Sequence, residues 1–235
     1  MSLKAVIFDF NGVIINDESI HQELVDEMLL GENLRPSGSE YQKVCLGRSD
    51  RACIRDILSL RGRVVSEDYL NKLIKTKAEA YCQRIEQLET LPIYTGVKEF
   101  LAQIQAKEIV IALVTGALRN EVELVLQKAE IAAYFSIIVA GDDIQVSKPE
   151  PDGYLLAVER LNRLKPALGL QPSNCLVIED TFAGIEAGKR ARMQVVGVAN
   201  TCPFHMLQRQ TNWTVDYLLE LEIERVQEVF EQVNI

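Results

Sequence analysis

An α/β fold, in which a doubly wound parallel sheet is interrupted near its start by an all-helical insertion, is what this 235-residue sequence predicts. Three observations carry the prediction. Short apolar runs that end in polar residues recur along the chain. Stretches of helical period alternate with the later runs. A long segment after the first run is helical in pattern and holds no convincing strand.

The first run is "AVIFD" (5–9), whose length and β-branched content suit a buried strand. It leads through Phe10 into Asn11-Gly12, and a second apolar run, 13–15, follows at once. Asn-Gly between apolar runs signals a β-hairpin. The same stretch also reads as a strand end displaying one carboxylate, Asp9.

From about Asn16 to Thr90 the pattern turns helical, in "HQELVDEMLL", "DRACIRDILSL" and "DYLNKLIKTKAEAYCQRIEQL". "LPIYTGVKEFLAQIQ" (91–105) then returns to the core with a helix. Further strands are expected at "IVIALVTG" (109–116), "SIIVAG" (136–141), "NCLVIED" (174–180) and "QVVGVA" (194–199). Helices are expected at Asn120–Ala129, Asp152–Leu164 and Gly184–Ala191, and alternation of this kind implies parallel strands. The tail "EIERVQEVFEQV" (222–233) reads as an amphipathic packing helix. The expected division is a core of residues 1–15 and 91–235 and a helical domain of residues 16–90.

Bulk properties narrow the function. A net charge of −9 argues against nucleic acid or an anionic membrane as partner. No apolar run approaches a membrane span, and the start does not resemble a signal peptide. The five cysteines are odd in number, dispersed and without CxxC, which argues against a disulfide framework or zinc cluster and points to a reducing cytoplasm. Two histidines, His21 and His205, leave little material for a His-rich metal site or a Ser-His-Asp triad. Hydrolytic chemistry would rest on carboxylates. Oligomeric state is left open, with a monomer favoured.

On doubly wound sheets ligands bind beyond the carboxyl ends of the strands, and here those ends carry Asp9, Thr115 and Glu179–Asp180. Asp9 suits a nucleophile that forms an aspartyl-phosphate. With Glu179 and Asp180 it offers the hard oxygen ligands that Mg²⁺ prefers. Lys148, in "SKPEPD", would pair with the nucleophile and the phosphoryl group. The Thr115 hydroxyl and the Gly116 and Ala117 amides would meet phosphoryl oxygens at a strand-to-helix turn. Each feature alone has a plainer reading: a solvated acidic strand end, a rigid Pro-rich loop, a helix cap at Thr115. Their joint placement on successive strand ends favours the chemistry.

Four motifs in order, "DFNGV" (9–13), "VTGA" (114–117), "SKPEPD" (147–152) and "VIEDTFAGIEAGKRARM" (177–193), make the chain resemble the haloacid dehalogenase superfamily, in the branch with a helical cap after the first motif. The resemblance implies a Rossmann-like core, a mobile cap, Mg²⁺ held by Asp9, the Asn11 carbonyl, Glu179 and Asp180, and hydrolysis of a small phosphorylated metabolite. Within the branch the cap is similar to that of β-phosphoglucomutase and sugar-phosphate phosphatases. That likeness implies substrate-binding roles for His21, for Arg48 and Arg51 in "LGRSDR" (46–51), and for Lys77. Their plainer readings are a hinge residue and solvated charges. The mutase subset tends to place Lys before the loop Gly; Leu46 here weighs toward a phosphatase.

One residue departs from the family. Its first motif is usually DxD, the second Asp acting as general acid and base, and here that residue is Asn11. An amide moves no protons near neutral pH, a loss worth about 10²–10⁴-fold in rate. The expectation is a slow or specialised phosphatase. A phosphosugar mutase and a catalytically impaired phospho-ligand-binding protein are the alternatives.

Overall fold

The structure, a computed structural model, describes residues 2–232. After strand β1 (Ala5–Phe8) come four helices in succession, α1 (Glu18–Gly31), α2 (Gly38–Val44), α3 (Asp50–Leu60) and α4 (Glu67–Gln87). The chain continues through α5 (Val97–Ala106), β2 (Val110–Val114), α6 (Arg119–Lys128), β3 (Ile137–Val139) and α7 (Asp152–Leu164). It ends with β4 (Cys175–Glu179), α8 (Phe182–Arg190), β5 (Gln194–Val198), α9 (Phe204–Leu207), β6 (Trp213–Val215) and α10 (Ile223–Gln232). The strands form one six-stranded sheet in the order β3-β2-β1-β4-β5-β6, with every pairing parallel.

Central strands of such a sheet are buried on both faces, and alternate side chains enter two different cores. In β1, Val6 and Phe8 join the cluster that includes Phe100, Leu101, Val122 and Phe230, under α5, α6 and α10. Ala5 and Ile7 join the opposite cluster with Tyr154, Leu161 and Ile185, under α7 and α8. The four helices after β1 bury a third cluster of their own around Val25, Leu29, Ile54, Ile57, Leu70 and Ile74. Ser49 and Ser66 cap α3 and α4 through side-chain oxygens that accept from Ala52 and Tyr69 amides.

Several expectations are corrected. The hairpin after β1 does not form, because both edges of β1 are taken by the parallel strands β2 and β4. The 13–15 run instead folds into a turn, with Ile14 N–H donating to Phe10 O (2.8 Å), and Ile15 bridges to Ile93. Helix α2 and edge strand β6 went unread, both being short and lacking an extended periodic pattern. Of the expected tail helix, Val233 lies outside the described residues.

One disulfide is present, although the odd and dispersed cysteines point away from a disulfide framework. Cys45 and Cys53 are bonded, their Cα atoms 4.4 Å apart. The pair escaped notice because a spacing of eight residues matches no motif; the α2–α3 turn is what closes it. Cys82, Cys175 and Cys202 remain free. Thiol titration in denaturant should therefore count three thiols before reduction and five after. A count of five without reductant would refute the bond.

Candidate active site

The Asp9 amide donates to Ile178 O at 2.9 Å, which pins this residue between the carboxyl ends of β1 and β4. Lys148 Nζ lies 2.7 Å from Asp9 Oδ1 and 2.6 Å from Glu179 Oε1, so one ammonium bridges two buried carboxylates. Tyr154 OH donates to the same Glu179 oxygen at 2.7 Å. The other Glu179 oxygen accepts from the Asp180 and Thr181 amides and from the Thr181 hydroxyl. Thr181 also caps α8 by accepting from Gly184 N–H (3.2 Å). A Cβ on Gly184 would sit 1.8 Å from Glu179 Oε1, so only glycine lets the helix start against this carboxylate.

Three buried carboxylates, of Asp9, Glu179 and Asp180, face one buried ammonium. Burial, and then the charge of Glu179, push the Asp9 carboxyl up to about 7, although Lys148 pulls the other way. Asp180 is raised by burial and then by the charges of Glu179 and Asp9. Burial alone would lower the Lys148 pKa, but Asp9 and Glu179 together hold it above the usual lysine range.

This excess of negative charge fits a divalent cation. Ligand oxygens of Asp9, Glu179 and Asp180 lie within 4.8 Å of one another, and Asp180 Oδ1 is buried without a hydrogen-bond partner. Gly12 shapes the same corner: its φ is +77°, and a Cβ there would lie 1.9 Å from Asp180 Oδ2.

Thr115 follows β2, and its hydroxyl accepts from Ala117 N–H (3.1 Å) and donates to Asn11 Oδ1 (3.4 Å). The four-helix cap packs directly on this edge. A Cβ on Gly116 would come within 2.8 Å of Arg48 O and the Ser49 backbone, and one on Gly47 within 2.5 Å of Thr181 Oγ1. Ser49 N–H donates to Ser147 Oγ at 2.7 Å. A cavity remains between the two, floored by Asp9, Asn11, Thr115 and Lys148 and roofed in part by Glu18, His21 and Arg48.

Asn11 is held by residues that sequence reasoning missed. Its Nδ2 lies 3.0 Å from both carboxylate oxygens of Asp17 and 3.0 Å from His21 Nε2. Asp17 is fully buried and also accepts from Tyr81 OH. Burial would raise its pKa, but His21, Tyr81 and Asn11 outweigh this and hold it below the usual carboxylate range. Lys77 Nζ meets His21 Nδ1 (2.7 Å), Asp50 Oδ2 (2.8 Å) and Glu121 Oε1 (3.6 Å). An ammonium against Nδ1 makes that nitrogen the acceptor and leaves the imidazole proton on Nε2, facing Asp17 Oδ2 (3.4 Å), so the Asn11 amide donates to Asp17 and not to His21. The i,i+4 spacing of Asp17 and His21 was the one local signal available. Glu121 and Tyr81 gave none.

The remaining cap residues divide. Arg48 borders the cavity, while its guanidinium bonds Asp56 Oδ2 (2.8 Å) and Val44 O (2.9 Å). Lys77 lies behind His21 and Asp50 rather than on the cavity wall. Arg51 is not brought to the site: it pairs with Glu67 and Asn71 in exposed contacts.

Comparison with known proteins identifies the family. Protein CbbY of Rhodobacter capsulatus is 31% identical over 211 residues, covering 83% of this chain and 85% of that protein. The phosphorylated carbohydrates phosphatase of Thermotoga maritima is 26% identical over 201 residues, covering 85% and 87%. A crystal structure of β-phosphoglucomutase from Clostridium difficile superposes with a TM-score of 0.82 at 25% identity, over 98% of each chain. Residues 3–192 match the family of haloacid dehalogenase-like hydrolases, and the chain belongs to that family.

Proposed function

We propose that this hydrolase is a Mg²⁺-dependent phosphatase of a small sugar-type phosphate, working through an aspartyl-phosphate on Asp9. The observation that carries the reading is the Lys148 bridge between Asp9 and Glu179 beside the unpartnered Asp180 oxygen, on the floor of a cavity closed by the cap. Asp9 attacks phosphorus and the bond to the leaving oxygen breaks; water then attacks the aspartyl-phosphate, the Asp9–phosphorus bond breaks, and inorganic phosphate leaves with the carboxylate restored. Lys148 and the Thr115 hydroxyl face the phosphoryl oxygens, with the Gly116 and Ala117 amides beside them. Asp9, Asp180 and the Asn11 carbonyl would hold the metal. Glu179 completes the acidic set while orienting Lys148. Bound there, a divalent cation neutralises phosphoryl charge and favours in-line attack.

Asn11 offers no proton acidic enough to transfer, so the leaving oxygen takes its proton from water. Alkyl phosphates, with poor leaving groups, are cleaved slowly; acyl and aryl phosphates suffer less. Similarity to β-phosphoglucomutase favours a mutase as the second reading, and isomer in place of free phosphate would identify it.

The test is phosphate release from acetyl phosphate or an aryl phosphate. It should require Mg²⁺ and vanish in Asp9→Asn. Because a proton competes with the metal for Asp9 below about pH 7, the Mg²⁺ concentration for half-maximal rate should rise by up to about tenfold per pH unit on acidification. A metal requirement flat from pH 5 to 8 would count against Asp9 as a ligand.

A further inference from the structure

Beyond the phosphoryl pocket, the cap side of the cavity holds carboxylates whose counter-charges are already engaged. Glu18 and Asp50 both border the cavity. Glu18 Oε1 accepts from Tyr41 OH at 2.6 Å, and Asp50 Oδ2 accepts from Lys77 at 2.8 Å, which leaves the second oxygen of each for a ligand. The cations there are committed. Arg48 donates through its fork to Asp56 Oδ2 and the Val44 carbonyl, so its charge is paired with the Asp56 carboxylate, and its Nε is buried without a partner. Lys77 is shared among Asp50, His21 and Glu121 and does not border the cavity. On the core side, Lys148 is engaged by Asp9 and Glu179.

Resting on the phosphatase reading, we infer that the substrate carries a single phosphate on an uncharged or aminated polyhydroxy body, and that Glu18 and Asp50 select it by accepting hydrogen bonds from its hydroxyl or ammonium groups. A second phosphate or a carboxylate at the far end would be enclosed against Glu18 and Asp50 with no unpaired cation among the described residues lining that side: Arg48 is paired with Asp56, and His21 faces Asp17. Like-charge juxtaposition in a closed site costs several kcal/mol, a discrimination of about 10²-fold or more. A hydroxyl or ammonium there leaves no buried acceptor unpaired.

The experiment uses the whole protein with Mg²⁺ and acetyl phosphate as reporter, with four competitors: a hexose 6-phosphate, its 2-amino analogue, a hexose 1,6-bisphosphate and a 6-phospho sugar acid. The neutral and amino monophosphates should inhibit at concentrations about 10²-fold or more below those of the two doubly anionic compounds. Glu18→Gln, which can keep the Tyr41 bond, should narrow that gap at least about tenfold, and Asp50→Asn should act in the same direction. Equal or tighter inhibition by the bisphosphate or sugar acid, a gap unmoved in both variants, or no competition by any of the four overturns the inference. Acetyl phosphate left intact by the wild-type protein would instead overturn the phosphatase reading beneath it.

Discussion

Asn11→Asp should raise phosphate release from alkyl phosphomonoesters by about 10²–10⁴-fold, with a much smaller gain on acyl or aryl phosphates. The restored carboxyl can protonate a poor leaving group and then activate water; a good leaving group needs little of either. The surroundings add a second effect. Asn11 Nδ2 lies 3.0 Å from both oxygens of buried Asp17, so the variant brings two carboxyl groups into contact. Such a pair shares a proton, and one of its pKa values is driven up. The raised folded-state value lies above the unfolded one, about 3.9 for Asp. The variant therefore keeps its stability at acid pH and loses it as pH rises through the raised folded value. Thermal melting of wild type and variant should diverge from pH 5 to pH 8, while rate on a sugar phosphate rises. An equal gain on acetyl phosphate and sugar phosphate would remove proton transfer as the explanation.

The second large effect is expected at Lys148. Its ammonium is the cation between Asp9 and Glu179, both buried. Removing one partner of a buried ion pair costs about 3–5 kcal/mol, because the remaining charge is left without compensation. Lys148→Met should lose about that much stability in urea unfolding at pH 7.5 without metal, and should release no phosphate. Part of the loss should return with Mg²⁺, which supplies positive charge to the same oxygens. It should also shrink at low pH, where the two carboxyls take up protons. A urea midpoint that matches wild type at pH 7.5 would show that Lys148 does not balance the cluster.

Most of the frame is legible in the sequence. The apolar runs at 5–9, 109–116 and 174–180 form β1, β2 and β4, and the polar residues at their ends are legible as candidates because each follows its strand directly in sequence. The helical cap and its placement after the first motif were legible for a similar reason: periodicity over ten or more residues is a strong signal. Short elements were not. Strand β6 is three residues long and is stabilised by pairing with β5, a contact remote in sequence.

What the sequence by itself determined is the α/β class, the alternation behind a parallel sheet, and the presence of Asp9, Thr115, Lys148, Glu179 and Asp180 at its edge. It also determined the substitution at Asn11. Tertiary structure alone decided who stands next to whom. It turned Val13–Ile15 away from β1, bonded Cys45 to Cys53, and packed Asp17, Tyr81, Lys77 and Glu121 into one buried network around Asn11 and His21. It also turned Arg51 away from the cavity and the Arg48 fork onto Asp56. The reason is physical. Local propensity acts between neighbours along the chain, whereas a buried charge finds its counter-charge through the burial that folding imposes, at separations such as the 31 residues between Lys148 and Glu179.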